Sequence, residues 1–183
     1  DWGHDFRPDY RRLVNVLNQL PPNMPLLATT ATANNRVLED VENQLGDIKI
    51  LKGNLKRESL SLQNIILPDQ ASRLAWLVQA IPKFQNSGIV YVLTTRIAEK
   101  VADWLNQKGI SAKAYHGKIT HEDFKDSDEY RLYLEEQLLN DKIKVLVATN
   151  ALGMGYDKPN LGYVIHFQAV GSIVTYYQEV GRA

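Results

Sequence analysis

Lys144-Val-Leu-Val-Ala-Thr149, running straight into Asn150-Ala-Leu-Gly-Met-Gly-Tyr-Asp-Lys-Pro159, decides how this chain folds. Val145 to Ala148 are apolar without alternation, the pattern of a strand covered on both faces inside a parallel sheet. A threonine and two glycines follow where that strand must end. In an open parallel sheet, ligands bind outside the carboxyl ends of the strands. The same stretch therefore marks both a core strand and a candidate site.

Three more runs share this character: Pro25–Ala28, Gly88–Leu93 and Gly162–Phe167. Helical patterns lie between them. Residues 96–107 place Ile97, Val101 and Leu105 on one face, with Thr95 suited to the N-cap and Gly109 just past the end. Residues 34–45 repeat the design with Val37, Leu38, Val41 and Leu45, closed by Gly46. Residues 10–20 carry Tyr10, Leu13, Val14, Leu17 and Leu20 before Pro21-Pro22 stops the helix. Strands alternating with helices predict an α/β fold whose parallel sheet carries helices on both faces. The stretch from Leu51 to Pro68 breaks the rhythm, and no helical stripe returns until Leu74, Leu77, Val78 and Ile81. Residues 52–60 are expected to be a linker between the end of one domain (1–51) and a second domain (61–183).

Composition narrows the chemistry. The 183 residues carry 21 Lys+Arg and 21 Asp+Glu, a neutral balance that neither announces nor excludes a nucleic-acid partner. There is no cysteine, so thiolate zinc, disulfides and a thiol nucleophile are all excluded. A reducing, cytoplasmic location is expected. No apolar run approaches the ~20 residues needed to cross a bilayer, so no membrane partner is expected. Seven carboxylates between Glu122 and Glu136 stand against Lys125 and Arg131. Such a run reads as a solvated helix face, turned away from any phosphate backbone.

Three segments carry candidate chemistry. Tyr91-Val-Leu-Thr-Thr-Arg96 ends a predicted strand, and Tyr115-His-Gly-Lys118 follows one helix and one strand later. Thr94, Thr95 and Arg96 at a helix start suit a backbone phosphate, and equally suit a cap with a solvated arginine. His116 is a candidate contact or an ordinary loop histidine. Thr149 with Gly153 and Gly155 suits close backbone approach to a ligand, and equally a strand-to-helix turn. Tyr176-Tyr-Gln-Glu-Val-Gly-Arg-Ala183 sets a permanently charged guanidinium after a glycine, suited to a transferring phosphoryl group or simply exposed on the surface.

In this order and spacing, the three segments together resemble the helicase motifs of the second RecA-like lobe of superfamily 2. Tyr91–Arg96 is similar to motif IV, Tyr115–Gly117 to the tyrosine-histidine segment after it, Val147–Pro159 to motif V, and Gln178–Arg182 to the start of motif VI. DEAD-box RNA helicases usually have histidine at the place of Gln178. The Gly-Met-Gly-x-Asp-Lys-Pro and Gln-Glu-x-Gly-Arg-Ala forms resemble the RecQ family of DNA helicases. Asp1-Trp-Gly-His-Asp-Phe-Arg-Pro-Asp-Tyr10 is similar to that family's aromatic-rich loop, and Thr29-Thr-Ala-Thr-Ala33 to its motif III. Trp2, His4, Phe6 and Arg7 also suit single-stranded nucleic acid unaided, because aromatic faces stack on bases and arginine binds phosphate. Packing of this tail on the body is the alternative.

The resemblance implies ATP hydrolysis coupled to 3′-to-5′ movement on DNA, single-stranded or forked. It implies that Gly155 and Asp157 face the nucleotide while Gln178 and Arg182 reach the phosphates. Thr94, Arg96, His116 and Thr149 would contact DNA or the other lobe, and Trp2, Phe6 and Arg7 would sense single-stranded DNA. It further implies that a P-loop and metal-binding carboxylates, which hold most of the ATP and its Mg²⁺, precede Asp1, and that a second motif VI arginine and a cysteine-bound zinc follow Ala183. The isolated chain is therefore expected to be inactive. Two departures stand out: the segment from Lys118 to Asp141 is longer and more acidic than the family's usual helix, and Asn150-Ala-Leu replaces the commoner Val-Ala-Phe. The rival readings are a non-catalytic module binding nucleic acid or a partner, an RNA translocase of the same superfamily, and an unrelated nucleotide-binding enzyme. The last needs a complete glycine-rich phosphate loop, which these residues lack.

Overall fold

The computed structural model describes residues 15–16, 19–21, 24–29, 35–46, 48–53, 60–152 and 156–182. The chain divides into two compact units, Asp1–Arg57 and Glu58–Ala183.

The first unit contains helix α1 (Asn35–Leu45). Leu38, Val41 and Leu45 are half-buried along one face. Gly46 ends the helix at φ 78° and its N–H returns to the Glu42 carbonyl at 2.9 Å, a left-handed position that glycine occupies without a Cβ clash. Of the helix predicted over 10–20, residues 15 and 16 are helical and most of the rest lies outside the described residues. Pro25–Ala28 corrects the sequence reading: it is not a strand, and Leu26 and Leu27 are 55% and 86% exposed. An apolar run becomes a strand only when neighbouring backbone takes its N–H and C=O groups, and no strand pairs with this run among the described residues.

The second unit opens with α2 (Gln70–Ala80). Asp69 caps it by accepting from the Ser72 N–H at 2.7 Å, a bond that holds the Asp69 carboxyl below the usual carboxylate range. Then come β1 (Gly88–Tyr91), α3 (Thr95–Gln107), β2 (Ala112–Tyr115), α4 (Ser127–Leu139), β3 (Val145–Ala148), β4 (Tyr163–His166) and α5 (Ile173–Val180). The strands form one sheet in the order β2-β3-β1-β4, and every pair is parallel. Gly88, Val145, Ala112 and Tyr163 lie in register at the amino edge; Tyr91, Ala148, Tyr115 and His166 lie in register at the carboxyl edge.

Alternation sends Val90, Val145, Val147 and Ala112 to one face, where Leu77 and Ile81 meet Ala98, Val101 and Leu105 of α3. Ile89, Tyr91, Leu146 and Ala148 point the other way, onto Tyr130, Leu134 and Leu138 of α4. Strands buried on both faces explain the unbroken apolar runs. The acidic segment is helical from Ser127, with Asp128, Glu129 and Glu136 exposed opposite its buried stripe. β4 is an edge strand, and a groove of about 1370 Å³ runs between it and residues 60–67.

Polar groups lock the amino edge. The Lys158 ammonium has no exposed surface; it donates to the Leu139 carbonyl at 3.0 Å and Asn160 Oδ1 at 2.8 Å, and pairs with Asp141 at 3.1 Å. Asp141, at φ 53°, also accepts from Ser87 Oγ at 2.6 Å. The Ser87 bond, then Lys158, holds its carboxyl below the usual range.

Candidate nucleotide and nucleic-acid site

The carboxyl edge gathers what the sequence singled out. Val92 continues β1 by donating to the Ala148 carbonyl at 2.9 Å, and Thr94 then turns the chain into α3. Thr94, not the predicted Thr95, is the N-cap: its backbone is extended and its Oγ1 accepts from the Ile97 N–H at 3.3 Å. The side-chain oxygen must sit before the first helical residue to reach back to that N–H, and Thr95 is already helical. Arg96 is exposed in the first turn. A helix start with exposed donors and a cation is a ready anion site.

His116 follows β2 and is 3% exposed. Neither ring nitrogen makes a hydrogen bond among the described residues, although Nε2 lies 3.3 Å from Glu99 Oε1. Glu99 thus faces Nε2, while Nδ1 is buried with no hydrogen bond among the described residues. Thr149 follows β3, is 6% exposed, and donates its N–H to the Tyr115 carbonyl at 3.1 Å, stitching the ends of β2 and β3. Its Oγ1 accepts from the Ala151 N–H at 3.3 Å. Leu93 N–H donates to Gln168 Oε1 at 3.1 Å, tying the ends of β1 and β4.

α5 supplies the remaining groups. Gln178 is half-buried. Arg182 donates from Nη1 to the Tyr156 carbonyl at 2.8 Å, joining the end of α5 to the segment after Gly155. Burial pushes the Tyr91 phenol well above its usual range, and the Arg182 charge opposes that push. Asp157 is exposed. Gly155, Trp2, His4, Phe6 and Arg7 lie outside the described residues, as do Gly153 and residues 30–33 of the predicted motif III. Thr94, His116, Thr149 and Arg182 thus meet the same sheet edge from four different loops.

Sequence reasoning passed over two residues there. His166, the last residue of β4, makes a 2.8 Å contact between its Nε2 and Glu179 Oε2 of α5, with side chains 15% and 11% exposed. Glu179 stood inside a quoted motif, but the sequence held no sign of its partner 13 positions earlier. Lys158 was likewise read as part of a site-facing motif, whereas its ammonium locks the opposite edge.

Residues 72–183 match the helicase conserved C-terminal domain. The RecQ-like DNA helicase BLM of Xenopus laevis is 41% identical over 190 residues, an alignment covering 100% of this chain and 13% of that protein. The probable ATP-dependent DNA helicase RecS of Bacillus subtilis is 35% identical over 186 residues, covering 100% of this chain and 36% of that protein. Among solved structures, Dbp5 of S. cerevisiae bound to RNA and ADP BeF3 superposes with a TM-score of 0.74 at 19% identity, covering 97% of this chain and 46% of that one; this likeness speaks for the fold alone. The chain belongs to the helicase conserved C-terminal domain family, with the RecA-like parallel sheet of that lobe. Along its whole length the chain resembles RecQ-like DNA helicases. It spans about an eighth to a third of the length of these two curated relatives.

Proposed function

We propose that this chain serves as the motor-closing part of an ATP-dependent 3′-to-5′ DNA helicase, its second lobe closing on ATP and gripping DNA. The observation that carries the reading is the meeting of Thr94, His116, Thr149 and Arg182 at one sheet edge, in a chain whose relatives are named DNA helicases. ATP with Mg²⁺, held mainly by a first lobe, supplies the free energy of phosphoryl transfer. The residues here fit one side of that arrangement. Arg182 carries permanent charge toward the transferring phosphoryl group. Asp157 would repel phosphate, so its carboxylate suits a sugar hydroxyl. Gln178 offers an amide beside them. The α3 start, with Arg96, takes a DNA phosphate, and His116 offers its Nδ1 beside them. Each closure and opening of the lobes then advances the grip along the strand.

Steady-state ATPase of the full-length protein, with single-stranded DNA, duplex DNA or single-stranded RNA, tests this. Strong stimulation by single-stranded DNA is expected. Equal stimulation by RNA would favour an RNA translocase, and no hydrolysis under any condition would leave a non-catalytic binding module.

A further inference from the structure

We infer that His166 and Glu179 form a positioning pair: their buried contact fixes α5 on the end of β4 and so sets how Arg182 meets the carboxyl edge. The inference rests on the function proposed above, because it gives these residues a task beside that site.

α5 is held in an unusual way. Its first residue, Ile173, is 85% exposed, and the residue buried along the helix is a carboxylate, Glu179. A helix seated on an apolar stripe can slide or rotate by a fraction of a turn at little expense. A short charge-assisted hydrogen bond between two largely buried groups has a direction, and fixes rotation as well as distance. The His166 end is rigid. The residue closes a strand paired in register with β1, its ring stacks on Tyr91 at 5.7 Å and 17°, and Tyr176 packs on it at 5.2 Å.

Arg182 lies three residues beyond Glu179, on the same side of the helical path. Its N–H donates to the Glu179 carbonyl at 3.3 Å, so the backbone carrying the guanidinium starts from the anchored residue. Tyr91 completes the loop: it stacks on His166 and feels the Arg182 charge. A rotation of α5 at Glu179 is thus passed to Arg182 without passing through any nucleotide contact. Misplacing a reacting group by about 1 Å can lower a rate ~10²-fold with little effect on binding.

The test is steady-state ATPase, with saturating single-stranded DNA, of the full-length protein carrying Glu179→Ala, His166→Ala, both together, or Glu179→Gln. Melting temperatures are measured alongside. Leu138→Ala, in the core under α4 on the other side of the sheet from α3, is the control for lost stability. Each alanine variant should lower kcat roughly 10- to 100-fold while the ATP KM moves less than about three-fold. The double variant should be no worse than the poorer single, because one contact is removed either way. Glu179→Gln keeps a hydrogen-bonding oxygen and should retain most of kcat. Glu179→Leu replaces Glu179→Ala should the smaller residue prevent folding. A single alanine variant with near-normal kcat, effects that multiply in the double, or an equal kcat loss in an equally destabilised Leu138→Ala would each overturn the inference. A wild type without DNA-stimulated ATPase would instead remove the functional reading, and this one with it.

Discussion

At the scale of single residues, two cations in this chain stand at opposite edges of the sheet. Arg182 sits at the carboxyl edge, where its charge can act on a substrate. In the full-length protein, Arg182→Ala is expected to depress kcat about 10-fold or more while leaving the ATP KM nearly unchanged, the signature of a charge felt mainly in the transition state. Arg182→Lys should rescue poorly, since an ammonium lacks the planar fork; a mutant with near-normal kcat would place Arg182 among surface residues. Lys158 is wholly committed to the fold. Lys158→Met strands the Leu139 carbonyl and Asp141, and should lower stability by about 1–3 kcal/mol in urea unfolding. Its partner Asp141 gives that lock a pH dependence. The folded-state pKa of Asp141 is depressed, so its stabilising contribution is present above the ordinary value of 3.8 and fades as pH falls through the lower folded value. Asp141→Asn tolerates φ 53° and should flatten the loss of stability below about pH 4. The effect is modest, because the Asp141 side chain is 47% exposed and solvent screens it. An acid limb of unchanged steepness in Asp141→Asn would assign it to other carboxylates.

At the scale of elements, sequence signals were most legible where one helix or strand could satisfy itself. α3 begins within a residue of its expected start and is closed just past its end by Gly109, whose φ of 77° is open to glycine at no steric expense. No heavy atom lies within 4 Å of a Cβ added there, so Gly109→Ala should be destabilising through backbone strain alone. About 1 kcal/mol is expected, a fall in Tm of roughly 2–4 °C. Gly88 is different: an added Cβ would clash with the Tyr163 ring, so its need for glycine comes from a neighbour 75 residues away and had no local signal. α4 joins both kinds of information. Its acidic face was plain, but the buried stripe Tyr130, Leu134 and Leu138 decides its seat on the sheet. Leu134→Ala should lose about 2–5 kcal/mol, whereas Glu136→Ala, on the exposed side, should lose almost nothing.

At the scale of the whole molecule, the 183 residues contain no complete glycine-rich phosphate loop. The isolated chain is therefore expected to hydrolyse no ATP with or without single-stranded DNA, since positioning of phosphates and Mg²⁺ carries most of this chemistry. Clear magnesium-dependent release of phosphate by the pure chain would overturn that. In the full-length protein, Trp2→Ala and Phe6→Ala distinguish coupling from grip. Stacking contributes roughly 1–3 kcal/mol per base, enough to shift a loop between two arrangements. A coupling loop predicts a lower kcat at saturating DNA with basal ATPase intact; a mere grip predicts only a higher DNA requirement.

The sequence by itself determined the alternation of helix and buried strand, the helix stops at Gly46 and Gly109, and the series of polar and glycine residues at strand ends. These are properties of neighbours along the chain: periodicity, caps and left-handed glycines act within a few residues. Only the tertiary structure decided that Pro25–Ala28 is no strand, that Lys158 belongs to the amino edge, and that His166 and Glu179 meet. Strand pairing, ammonium burial and ion pairing each depend on a partner supplied by a distant segment. The strand order β2-β3-β1-β4 brings such partners together, and no local pattern encodes that order.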